Sequence, residues 1–128
     1  MAILGIHHIA IICSDYGASR RFYVDLLGLR VIRETFRAER RSHKCDLALP
    51  DGTQIELFSF PDPPPRPSYP EACGLRHLAL AVRGLDDEVA RLGALGIAIE
   101  PIRVDEATGR KYTFFADPDG LPVELYEA

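Results

Sequence analysis

The chain has 128 residues, 47% of them hydrophobic and 27% charged, which is the composition of one ordinary domain or of two half-domains sharing a core. A net charge of −4 gives no electrostatic reason to expect a nucleic-acid partner. No apolar run approaches the ~20 residues of a membrane helix. The apolar start, residues 1–13, lacks the basic region and the cleavage site of a signal peptide. Three cysteines, Cys13, Cys45 and Cys73, have no metal-type spacing and cannot all pair. A reducing cytoplasm is therefore the expected compartment.

In chain order, residues 6–13 read as a β-strand. Ser14 or Asp15 can cap a helix running to about Leu27, with Phe22, Tyr23, Leu26 and Leu27 as its apolar stripe and Gly28 at its C-terminal end. Strands follow near 29–36, 44–49 and 53–60, the last two joined through Pro50-Asp51-Gly52. The stretch 61–74 carries six prolines, which cannot supply the donors of a central strand, and reads as a stiff extended strap. A strand at 75–82 comes next, then a helix near 85–95 with Leu85, Val89, Leu92 and Leu95 on one face and Gly96 at its end. Strands near 97–103, 111–116 and 121–126 complete the chain.

The order strand, helix, three strands thus occurs twice, and the residues repeat with it. PDGTQIELF at 50–58 returns as PDGLPVELY at 118–126, an offset of 68 residues. Leu27-Gly28 returns as Leu95-Gly96 at 68, and His8 as His77 at 69. A duplication at fixed spacing means two modules built alike. Module 1 is expected at 1–60 and module 2 at 75–128, with 61–74 as linker.

Side chains of a strand alternate between faces. His8, Ala10 and Ile12 share one face, and so do His77, Ala79 and Ala81. Glu56 lies with Gln54 and Phe58, and Glu124 with Pro122 and Tyr126. The purely apolar faces suit packing against the helices. The mixed faces, with room left by alanine, suit a lined cavity. A single strand histidine is ordinarily a satisfied surface or core residue, but two carboxylates and two imidazoles converging on one cavity need a counter-charge, because a buried carboxylate is costly to desolvate. A divalent metal supplies it. His77 and Glu124, with His8 and Glu56, are the expected ligands. His7 is assigned to the helix-packing side. Two nitrogens and two carboxylates without thiolate accommodate Zn²⁺, Ni²⁺, Co²⁺, Mn²⁺ or Fe²⁺ and leave positions open, as a catalytic site does.

The segments HHIAI, SRRFYVDLLGL, QIELFSF, CGLRHLAL and FFADPDGLPVELYE together resemble the vicinal oxygen chelate superfamily, most closely its small glyoxalase I-like bacterial members. The resemblance implies an α+β fold of paired βαβββ modules forming an open, barrel-like metal cavity, and a homodimer. It implies one divalent ion per site, Zn²⁺ or Ni²⁺ foremost, on His8, Glu56, His77 and Glu124. It further implies lyase or isomerase chemistry of the glyoxalase I type on a small vicinal-oxygen substrate, such as a 2-oxoaldehyde–thiol adduct, through an enediolate. Glu124 is then the first choice of base and Glu56 the second. An Fe²⁺ extradiol-type dioxygenase and a non-catalytic ligand- or metal-binding protein are the rival readings within the same superfamily. Members that use glutathione carry a basic residue four places after the first histidine and another four before the second, where this chain has Ile12 and Cys73. Arg37, Arg103, Arg110 and Lys111 remain as cations for an anionic substrate, and 104–112 reads as a loop able to act as a lid.

Overall fold

The computed structural model describes residues 1–128 and divides into two compact units, Met1–Pro65 and Arg66–Ala128. The boundary falls inside the proline-rich stretch. In the first unit, β1 (His8–Cys13) leads to α1 (Tyr16–Arg20), which continues as a π-helical turn over Arg21–Leu26. Then come β2 (Arg30–Arg37), a 3₁₀ turn at Ala38–Arg40, β3 (Ser42–Ala48) and β4 (Gln54–Ser59). In the second, β5 (Leu78–Val82), α2 (Leu85–Ala94), β6 (Arg103–Val104), β7 (Lys111–Ala116) and β8 (Pro122–Glu127) repeat the plan. Each unit forms one four-stranded sheet, ordered β1-β4-β3-β2 and β5-β8-β7-β6. The first and last strands of each module pair in parallel and the other pairs are antiparallel.

Local chemistry sets these boundaries. Of the two possible caps, Asp15 takes the role, its carboxylate accepting from the Ala18 amide at 3.0 Å. The helix closes with Leu27 N–H donating to Phe22 C=O, Leu29 N–H to Tyr23 C=O, and Gly28 at φ +85°, a conformation glycine adopts without strain. Tyr23 is fully buried, with Phe22 and Leu26 nearly so, and α1 packs on β4, where Ile55 and Leu57 are fully buried. Module 2 builds its core from Leu78, Leu85, Leu92, Phe115, Val123 and Leu125, with α2 against β8. Leu95, expected on that apolar face, is instead exposed, because it lies past the last helical residue where the chain turns at Gly96.

The expected strand at 97–103 shrinks to Arg103–Val104. Pro101 lacks the N–H a ladder needs. The Glu100 carbonyl accepts from the Thr113 hydroxyl at 2.7 Å, while Glu100 N–H donates to Phe114 C=O. The segment 104–112 is the β6–β7 hairpin. Its turn is tied down by the Asp105 carboxylate, which accepts from the Tyr126 hydroxyl at 2.8 Å and the Ala107 amide at 2.9 Å. The three cysteines are free thiols, and no helix is long and apolar enough to cross a membrane.

On the helix side of module 1, Glu34 accepts from the Tyr16 hydroxyl and, through both oxygens, from Arg20 at 2.8 and 3.0 Å. Tyr16 also stacks on His43 at 4.3 Å, so the start of α1 is fastened to β2 and β3. The Arg20 hydrogen bonds, then that of Tyr16, bring the Glu34 carboxyl down from 4.5 to about 2. A depressed carboxyl contributes stability that is present above its unfolded value and is lost as pH falls toward the folded one. Glu34→Gln should therefore lower stability by about 0.5–1 kcal/mol near pH 7, a small figure because the pair is solvent-screened. Thermal melts of both proteins should converge as the pH is taken from about 5 to about 2.

Candidate metal centre

The parallel pairing fixes the site. In module 1, Ala10 lies opposite Glu56 in the β1–β4 register. In module 2, Ala79 lies opposite Glu124 in the β5–β8 register. The histidine stands two residues before the alanine in both cases, hence on the same face. His8 Nε2 comes to 3.5 Å from Glu56, and His77 Nε2 to 3.6 Å from Glu124. The carboxylate side chains are 16% and 15% exposed and the imidazoles 40% and 27%, so each pair opens toward its sheet's uncovered face.

The donor set fits a divalent ion. Two ligand atoms each ~2.0–2.2 Å from one ion stand roughly 3.0–3.6 Å apart for angles between square and trigonal. Both pairs have that bite. No cluster of three or more His, Cys, Asp or Glu side chains poised for one ion occurs in the chain, and each pair by itself offers two donors. The second nitrogens differ. His8 Nδ1 is 2.9 Å from His7 Nδ1, whereas His77 Nδ1 is 2.9 Å from Arg76 Nη1, which can only donate. In that contact a neutral His77 carries its proton on Nε2, so ligation through Nε2 needs the proton on Nδ1 and Arg76 turned away. The exposed Arg76 side chain has room to do so.

Corresponding positions on the two open faces carry different chemistry. Across from Glu56 is Asp46, and across from Glu124 is Phe114. Asp46 is buried. Burial alone would push its carboxyl up, but hydrogen bonds from Lys44 (2.8 Å) and Arg33 (3.1 Å) hold it below its usual value. Lys44 Nζ also lies 3.7 Å from Glu56. In module 2, His77 meets the Phe114 ring edge-on at 5.0 Å, and Arg103 lies over Tyr112 at 5.0 Å and Phe114 at 5.8 Å. These groups, with Glu124 and Tyr126, line a cavity of about 730 Å³.

The sequence-derived pairs His8 with Glu56 and His77 with Glu124 are thus brought together within their modules. His7 departs from its assignment. Residue 7 is exposed rather than packed, and its ring meets that of His8 edge-on at 5.2 Å. Of the four candidate cations, Lys111 is bound to Asp86 at 2.8 Å and Arg110 to the Glu127 carbonyl at 3.3 Å. Arg103 is paired with Glu100 at 3.2 Å but lines the cavity. Arg37 lies over the Phe58 ring at 5.2 Å. Sequence reasoning missed Arg33, Lys44, Asp46 and Arg76. The alternation of β3 places Lys44 and Asp46 on one face, but only the β3–β4 register shows that this face is the one bearing Glu56.

A duplicated βαβββ module, each copy presenting a histidine and a glutamate across its parallel strand pair, defines the class of fold. The chain belongs to the Glyoxalase/Bleomycin resistance protein/Dioxygenase superfamily, whose profile matches residues 5–125. It is 60% identical over 127 residues to the uncharacterized protein YwkD of Bacillus subtilis (strain 168), covering 99% of each chain. It is 57% identical over 122 residues to the uncharacterized protein YaeR of Escherichia coli (strain K12), covering 95% of each. The crystal structure of a glyoxalase family protein from Enterococcus faecalis superimposes with a TM-score of 0.91 at 50% identity, covering 99% of this chain and all of that one.

The Arg76 contact generates a prediction. Arg76→Met removes both the donor that occupies His77 Nδ1 and a nearby positive charge. Zn²⁺ or Ni²⁺ affinity, measured by calorimetric titration of the metal-free protein, should rise roughly two- to tenfold.

Proposed function

We propose that the chain is a metal-dependent lyase or isomerase of the glyoxalase I type. It would act as a homodimer on a small substrate with oxygens on adjacent carbons, such as a 2-oxoaldehyde–thiol adduct. The observation that carries this reading is the equivalence of the two His–Glu pairs in register and separation. His8, Glu56, His77 and Glu124 would hold a divalent ion, Zn²⁺ or Ni²⁺ first, with Co²⁺, Mn²⁺ and Fe²⁺ also suited to the donor set. Bound there, the ion supplies Lewis-acid polarisation of a carbonyl.

The two carboxylates have unequal work. Glu56 stands against the Lys44 ammonium, which contends for its oxygens. Glu124 faces Phe114 and is paired only with His77. A carboxylate without a fixed cation is the freer one to take a proton from the substrate carbon and return it to the neighbouring carbon. Phe114, Tyr112 and Tyr126 give the cavity beside it aromatic walls for the body of the substrate. Ile12 and Cys73, both exposed, carry no positive charge, so neither supplies the cation that a glutathione carboxylate would meet at those positions.

One observation favours a second reading. The hold of Lys44 on Glu56 would leave two histidines and Glu124, the ligand set of non-haem Fe²⁺ oxygenases. Oxygen uptake on catechols after anaerobic loading with Fe²⁺ separates the two.

The first reading is tested with Glu124→Gln and Glu56→Gln, assayed against adducts of methylglyoxal with several thiols. Glutamine keeps a carbonyl oxygen but cannot accept the proton. Turnover should fall about 10²–10⁴-fold for Glu124→Gln at matched metal content, and by much less for Glu56→Gln. Losses that merely track metal content in both variants would make Glu124 a ligand and not a base.

A further inference from the structure

The open face of module 1 carries three cations, and two of them are accounted for. Arg33 and Lys44 both bind Asp46. Arg37 has no carboxylate partner. Its only protein acceptor is the buried Ser42 hydroxyl, 3.2 Å from Nη2, and that hydroxyl is itself turned toward the His43 carbonyl at 3.3 Å. Arg37 Nε is buried and has no acceptor. The guanidinium is nevertheless held in place, because it lies over the Phe58 ring at 5.2 Å. A half-buried, oriented guanidinium with donors to spare is an arrangement that an anion completes, since buried donors are ordinarily paired and a planar fork matches an oxyanion.

Its location gives the anion a role. Ser42 lies opposite Arg37 in the β2–β3 register, and Phe58 opposite Lys44 in the β3–β4 register. Phe58 is two residues beyond Glu56 on β4, so the side chains share a face at a spacing of roughly 7 Å. The ring that holds Arg37 is therefore the neighbour of Glu56 on the same face.

We propose that Arg37, oriented by Phe58 and Ser42, is an anion-recognition subsite, and that the substrate of the His–Glu site carries a carboxylate or phosphonate-type group in addition to its vicinal oxygens. The inference deepens the proposed function and rests on it for the substrate, though not for the anion subsite itself. Arg37 is a specificity residue and takes no part in the proton transfer.

Three hydroxamates test it, because each presents the same vicinal-oxygen head with a different tail: acetohydroxamate (neutral), succinic monohydroxamate (carboxylate) and phosphonoacetohydroxamate (phosphonate). Affinities for the Ni²⁺-loaded protein are read by calorimetry. The expected result is that at least one anionic tail binds about tenfold or more tighter than the neutral one, and which tail gains more tells carboxylate from phosphonate. Arg37→Met should abolish the preference, Arg37→Lys should restore part of it, and Ni²⁺ affinity should stay unchanged in both. A tail preference that is absent, or that survives Arg37→Met, overturns the subsite.

Titration of the metal-free protein with inorganic phosphate, followed at the Arg37 ¹⁵Nε resonance, tests the anion site without the metal. A saturable shift supports the subsite and no shift counts against it. If that shift appears while no hydroxamate binds the loaded protein, the anion site stands and the chelate reading falls with its substrate class.

Discussion

The parallel pairing of the first and last strand of each module is the constraint on which the rest of the structure depends. A parallel pair needs a long crossover, and here the crossover is the helix and the two intervening strands. The pairing brings the side chains of His8 and Glu56, and of His77 and Glu124, within 3.5 and 3.6 Å of each other, groups nearly fifty positions apart in the chain. The alanine across from each glutamate leaves room for the carboxylate and for the imidazole two residues upstream. The His–Glu spacings are 48 and 47 residues, so module 2 is one residue shorter between the two, yet the local registers agree. The difference is absorbed between the paired strands and not at the site.

On this common frame the two modules have diverged at the position facing the glutamate. Asp46 in module 1 collects Lys44 and Arg33 into a charged network beside Glu56. Phe114 in module 2 replaces that network with an aromatic wall against His77. One carboxylate is thus fixed among cations and the other is left with its histidine and a ring. A duplicated scaffold gives two similar ligand pairs, and one register position makes them chemically unequal.

Much of this was legible in the sequence because duplication writes the same residues twice. The PDG…EL echo located the last strands, period-two alternation placed the histidines and glutamates on the mixed faces, and the glycines after each helix marked its end. Three features were not legible, each for a local reason. The strand at 97–103 gave way to an irregular segment because Pro101 and the Thr113 hydroxyl redirect the backbone hydrogen bonds. His7 was assigned to the helix side, but it is exposed and its ring meets His8 edge-on. The Asp46 network was hidden because the neighbour of a strand residue depends on register, and register belongs to the pairing of two strands and not to either one alone.

The proposed function requires that the two His–Glu pairs supply their four donors to a single ion. Calorimetric titration of metal-free protein with Ni²⁺ tests it through stoichiometry. The account predicts one ion per chain, lost by removing either histidine. Two ions per chain, with His77→Ala abolishing only one of them and leaving the other at full affinity, would contradict it.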